Sequence, residues 1–141
     1  MKMDDRAQVS VELILFLAFV LAIILVFATY IADANEKNII ETSVKLGAEN
    51  ATSTMVLLDR SMEPLRVTSI SVTGSDPIVM TLHFSRSVDY TTQKYVAEGV
   101  VTSLISQGYD AESNYTDTNK LKGNVTLQKA RHDYLIKTAD V

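Results

Sequence analysis

Cysteine is absent from the 141 residues, so the chain can build neither a disulfide framework nor a thiolate metal site. Histidine is scarce: His83 and His132 are too few for a histidine-rich catalytic metal centre. Basic charge is in the minority, with 13 Lys and Arg against 17 Asp and Glu and a net charge of -4. That balance argues against a nucleic-acid partner, because binding phosphate needs a basic face. No G-x-x-x-x-G-K-[ST] loop is present, so the chain carries no such nucleotide motor of its own. No pairing of nucleophile and base, or of two carboxylates, suggests a catalytic centre, and no cofactor is expected. With 21% charged residues and ten aromatics, the composition is not that of a disordered chain.

The apolar residues are unevenly spread. Leu13 to Ala32 reads LILFLAFVLAIILVFATYIA, with no charge, glycine or proline, and fourteen of the twenty are Leu, Ile, Phe or Val. As a helix it would span roughly 30 Å, the hydrocarbon thickness of a bilayer. A chain this short can hardly cover a helix that is apolar all round, so the segment belongs in lipid, in a multi-subunit assembly, or in each in turn. It is too long for the apolar region of a removed secretory signal. Lys2, Arg6 and the terminal amine precede it; Asp33, Glu36, Lys37 and Glu41 follow. Positive charge tends to stay inside, so the short N-terminal side is expected in the cytoplasm and residues 33–141 outside.

Immediately before the run stands Arg6-Ala7-Gln8-Val9-Ser10-Val11-Glu12. This order resembles the class III signal peptide of archaeal type IV pilins, with a basic residue, a small residue, then Q-x-S-x-E-x-x-x-L. Gln8, Ser10 and Glu12 match; position 16 is Phe, flanked by Leu15 and Leu17, and the leader carries an acidic pair, Asp4-Asp5. The resemblance implies that a prepilin peptidase cuts between Ala7 and Gln8, on the cytoplasmic side, and leaves the helix in the bilayer. It implies that Glu12 then meets the terminal amine of a neighbouring subunit and sets axial register. The implied partners are further copies of the chain, the peptidase, an assembly ATPase, a membrane platform protein and, before assembly, lipid. The implied product is an extracellular surface filament with a role in adhesion. Two other roles for Glu12 remain open: favouring the positive end of its own helix, and pairing with its own new amine. A permanently anchored extracellular binding module that never polymerises is the rival for the whole chain.

Helical spacing continues past Ala32. Ile40, Val44, Ala48, Ala51, Met55 and Leu58 form one apolar stripe, and Glu36, Lys37, Glu41, Lys45, Glu49 and Asn50 give a polar face. Gly47 is a weak point that can permit a bend. Pro64 closes the segment, so one helix is expected from about Ser10 to Asp59 or Arg60. A helical hairpin or a juxtamembrane coiled coil is the alternative. The expected organisation is a leader over 1–7, a long helix over 8–60 with its membrane or filament part at 13–32, and a head over 61–141.

The fold class expected is α+β: a pilin-like lollipop with a small, mainly β head, an all-β sandwich head being the alternative. Residues 78–85 alternate apolar and polar, a half-buried strand with His83 facing outward. Residues 65–73 alternate too, with a phase flip between Val67 and Ile70 that suggests a bulge. Gly74-Ser75-Asp76-Pro77 turns the two into a hairpin. Asp89 can cap a helix running to about Gln107 and ended by Gly108, with Val96, Val100 and Leu104 as its apolar line and Ala97, Val101 and Ile105 alongside. Gly99 weakens that assignment. A polar loop is expected over 109–119, and short strands at Val125–Leu127 and Tyr134–Ile136.

Three N-x-[ST] sequons occur, at Asn50, Asn114 and Asn124. With 26 Ser and Thr and six Asn, chance alone gives about one. The excess suits a head displayed outside the cell and glycosylated. Asn114, in the expected loop, is the best acceptor; Asn50, on the long helix, is the least secure. The cluster Asp110, Glu112 and Asp117 lacks the glycine and final glutamate of an EF-hand loop and is expected to be solvated rather than to hold a metal.

Overall fold

The computed structural model describes residues 5–116, 122–128 and 130–139; at 5–9, 115, 116, 122–124 and 128 it describes the backbone alone. The first element is a single long helix, α1, Asp5–Leu58. It begins before the expected Ser10, because nothing in Asp5-Arg6-Ala7-Gln8 breaks a helix. The chain divides into two compact units, Met1–Asn35 and Glu36–Val141. The division falls inside α1, where an all-round apolar surface gives way to a one-sided stripe.

The second unit is α+β. Its elements after α1 are β1 (Val67–Thr73), β2 (Ile78–Phe84), α2 (Tyr90–Ser106), β3 (Asp110–Thr116), β4 (Lys122–Gln128) and β5 (Tyr134–Thr138). The strands form one mixed sheet in the order β1-β2-β5-β4-β3. β2 and β5 run parallel, and the other neighbours are antiparallel. One sheet backed by helices is not a two-sheet sandwich, so the all-β alternative does not apply.

The core follows the periods of the sequence. Ile40, Val44, Ala48 and Ala51 of α1 are buried with Val96, Val100 and Leu104 of α2 and with Met80, Leu82, Val125, Leu127, Tyr134 and Ile136 of the sheet. Two expected members of the α1 stripe fall short. Met55 is only half-buried and Leu58 is 76% exposed. The helix ends there, with Asp59 Oδ1 accepting from the Ser61 amide at 2.9 Å, and Leu57 beside Leu58 is exposed as well. On α2, Ile105 likewise lies exposed beside the buried line.

The local signals around β1, β2 and α2 are realised as read. The β1–β2 register shifts between Val67 and Ser69, leaving Thr68 as the extra residue of a bulge. Gly74, at φ +79°, supplies the left-handed turn position. Asp89 caps α2, its carboxylate accepting from the Thr92 amide and the Thr92 hydroxyl. The hydroxyl first, then the backbone amides, hold that carboxyl below the usual aspartate range. Its folded pKa is thus depressed. The stability it contributes is present above the unfolded aspartate pKa and is lost as pH falls through the folded value. Asp89→Ala should cost about 1 kcal/mol at neutral pH and much less in acid; urea midpoints of both proteins across that range check it. At the other end, Gly108 N–H reaches the Ile105 carbonyl (2.9 Å) and Tyr109 N–H reaches that of Leu104 (3.2 Å), closing a Schellman motif with Gly108 at φ +89°.

The expected loop at 109–119 is a correction. Residues 110–116 are a strand, paired in register with β4, which itself extends beyond Val125–Leu127 to Lys122–Gln128. The segment reads as polar because it is an edge strand with few apolar side chains, and its pairing rather than its own pattern makes it extended. Residues 117–119 of that expected loop lie outside the described residues.

Candidate functional site

The candidate site is the N-terminal segment from Arg6 to Ala32, which lies wholly within the first unit. Arg6, Ala7 and Gln8 are helical, near the start of α1 as described, and only their backbone is described. Ser10 and Glu12 are exposed on the next turn. Residues 8 and 12 stand one helical turn apart, about 6 Å along the axis. An amine created at Gln8 and the carboxylate of Glu12 would therefore lie within one turn of each other.

Beyond Glu12 the helix presents apolar side chains on every side. Leu13, Phe16, Phe19, Leu25, Phe27 and Tyr30 are each more than half exposed. The most apolar window has a mean hydropathy of 3.1, long and apolar enough to cross a membrane. Each such side chain gains about 1.5–3 kcal/mol on leaving water. An uncovered run of this length therefore requires lipid or protein around it. The neighbouring Thr29 makes no demand of its own, since its hydroxyl donates to the Val26 carbonyl at 2.8 Å.

The second unit holds the other residues singled out in the sequence. His83 is half-buried on the outer sheet face, its Nε2 at 2.8 Å from Ser71 Oγ. Asp110 and Glu112 sit on β3, not in a loop, and Asp117 lies outside the described residues. Among the described residues, no group of three potential ligands converges for a metal ion. An open groove of about 490 Å³ runs between α1 and α2, lined by Leu46, Asn50, Thr54, Tyr95, Glu98 and Thr102. Glu98 is its one carboxylate, so it has no paired acid and base.

Two features escaped the sequence. The first is a glycine crossing. A Cβ at Gly47 would lie 2.6 Å from the Gly99 carbonyl oxygen, and one at Gly99 would lie 2.7 Å from Ala51 Cβ. The two helices touch backbone to backbone, so both glycines serve a close approach that their own helices do not reveal. The second is Glu36. Its carboxylate accepts the Arg131 amide at 3.1 Å on each oxygen and the Tyr134 hydroxyl at 3.4 Å, tying α1 to the segment between β4 and β5. Burial, and then the charge of Glu36, raise the pKa of the Tyr109 hydroxyl.

The chain matches no protein-family model and no curated protein.

Proposed function

We propose that the chain is the precursor of a filament subunit of the archaeal type IV pilus kind, cleaved between Ala7 and Gln8 and polymerised through its N-terminal helix. The observation that carries this reading is a coincidence of three things at one place. A Q-x-S-x-E motif, an exposed carboxylate and the start of an uninterrupted apolar helix fall within residues 8–13.

The physical logic runs in steps. The weak positive bias holds Lys2 and Arg6 in the cytoplasm while the apolar run spans the bilayer. A membrane peptidase opens the helix around residues 7 and 8, since a scissile peptide must be extended to enter an active site. Hydrolysis removes the seven-residue leader and leaves the span in place. The new α-amine and Glu12 then stand one helical turn apart, both at the cytoplasmic end of the span. A carboxylate there is costly unless it is paired. Moving the helix from lipid to a bundle of its own kind gains little from the hydrophobic effect, because lipid tails are as apolar as leucine. The amine–carboxylate contact between neighbours therefore supplies register, and close packing supplies cohesion. Extraction from the bilayer falls to an ATP-driven partner, since the chain has no phosphate loop. The second unit forms the filament's outer surface, where it meets other surfaces in adhesion.

The test is the mass of the N-terminal peptide from filaments sheared off the source cells. A chain beginning at Gln8 is expected. A chain in the membrane fraction that keeps Met1 to Ala7, and is missing from sheared material, points instead to a permanently anchored binding module. Ala7→Arg should abolish processing, leaving the full-length precursor in the membrane at near-complete yield by immunoblot. A bulky cation replaces the small residue that the peptidase must accommodate beside the cut.

A further inference from the structure

The three sequons are equivalent as strings but not as acceptors once the head is folded, and the difference is geometric. Asn50-Ala51-Thr52 is wound into α1. Thr52 is 2% exposed, and its hydroxyl donates to the Glu49 carbonyl at 3.0 Å. The hydroxyl that the motif requires is thus buried and occupied. The other two sequons face each other. In the β3–β4 register Asn114 is paired with Asn124, Thr116 with Lys122, and Glu112 with Thr126. Ala111, Val125 and Leu127 are buried, so positions 114, 124 and 126 belong to the opposite, solvent face.

Directly paired residues of an antiparallel ladder have Cα atoms about 4.5–5.5 Å apart. Two sugar branches rooted at that spacing on one face would occupy the same volume. The two positions also differ in access. β3 is an edge strand, so Asn114 has a neighbouring strand on one side alone. Asn124 is flanked on both sides, by Asn114 of β3 and Lys137 of β5. Asn114 Nδ2 donates to Thr126 Oγ1 at 3.3 Å, and Thr126 is the hydroxyl residue of the Asn124 sequon. One sequon's amide thus engages the other sequon's hydroxyl.

We infer that the folded head accepts a single N-linked glycan, at Asn114, and that Asn124 and Asn50 stay bare. This rests on the proposed outward placement of residues 33–141. In the transfer, Asn114 Nδ2 attacks the anomeric carbon of a sugar carried on a phosphate leaving group. The C–N bond forms as the bond from that carbon to the phosphate oxygen breaks. The phosphate leaves with the electron pair, and one amide proton passes to a base of the transferase. The secondary amide formed keeps one N–H. The glycan projects from the solvent face of the sheet at its edge strand, β3.

Intact-mass and peptide analysis of the full chain purified from its source cells tests this, alongside the variants Asn114→Gln, Thr116→Ala, Asn124→Gln and Asn50→Gln. The expected result is one glycan mass per chain on the Asn114 peptide. It is lost completely in Asn114→Gln and in Thr116→Ala, and unchanged in the other two. Thr116→Ala keeps the asparagine, so loss in both ties the glycan to the sequon, and matching circular dichroism melts of the variants and the unsubstituted chain exclude a folding defect. A glycan on Asn50 or Asn124 in any of these proteins, or on both Asn114 and Asn124 of one chain, overturns the inference. Protease added to intact cells separates its failure from that of the orientation. A bare Asn114 on a head that the protease cuts overturns the glycan assignment alone. A bare Asn114 on a protected head overturns both.

Discussion

Cells carrying Glu12→Ala should process the leader normally and yield almost no sheared filaments. The substitution leaves Arg6, Ala7 and Gln8 in place, so the cut is unaffected. What is lost, on the proposed assembly, is the carboxylate that neutralises a neighbour's amine away from water. Removing one partner of such a pair strands the other, at about 3–5 kcal/mol. Taking 3 kcal/mol per contact, the equilibrium for adding one subunit falls by about two orders of magnitude. Glu12→Gln should fail almost as badly, since an amide keeps the shape but not the charge. Electron microscopy of sheared fractions, with the N-terminal mass of the membrane pool, reads both halves of the result. Abundant filaments from Glu12→Ala would leave the carboxylate at the lipid headgroups or on its own helix end.

The second large effect is on folding. Gly47→Val should cost the second unit about 3 kcal/mol or more, a fall in melting temperature on the order of 15 °C for a unit of this size. In an exposed helix, replacing glycine with alanine stabilises by up to about 1 kcal/mol. Here the sign reverses. The first added carbon meets the Gly99 carbonyl oxygen at 2.6 Å and Val100 Cα at 2.7 Å. Both are backbone atoms that no rotamer change can move aside. Gly47→Ala should therefore already destabilise, and Gly99→Ala should do so from the other side of the same contact. The double replacement should cost less than the sum of the two, because either one alone forces the helices apart. Thermal melts of the four proteins, followed by circular dichroism, measure the coupling.

Much of the second unit was legible residue by residue. Asp89 announced the start of α2 because a cap is a local hydrogen bond, needing only Thr92 three positions on. The bulge at Thr68 was visible as a phase flip, and β2 as strict alternation, because each depends on near neighbours. The strand at Asp110–Thr116 was not visible. Asp-Ala-Glu-Ser-Asn-Tyr-Thr has poor strand propensity, and its extended form comes from a partner strand further along the chain. The glycine crossing was hidden for the same reason: Gly47 and Gly99 each look like a flaw until their helices meet. Glu36 was read as part of a polar face, yet its partners Arg131 and Tyr134 lie almost a hundred residues away. In the candidate site, the apolar span was plain from composition, while the meaning of Gln8, Ser10 and Glu12 came from family resemblance alone. The exposed helix around them is as compatible with a simple anchor.

The order of strands within the sheet has a consequence for biogenesis. Among the described residues β5 is the last strand, and it sits between β2 and β4 as the one strand joining the β1–β2 pair to the β3–β4 pair. Until Tyr134–Thr138 has emerged from the ribosome, β2 and β4 lack the strand that pairs with both of them. The sheet therefore closes only after the whole of α1 and α2 has been made. A nascent chain stalled before Tyr134 would present the edges of β2 and β4 to any quality-control protease, in addition to those of β1 and β3.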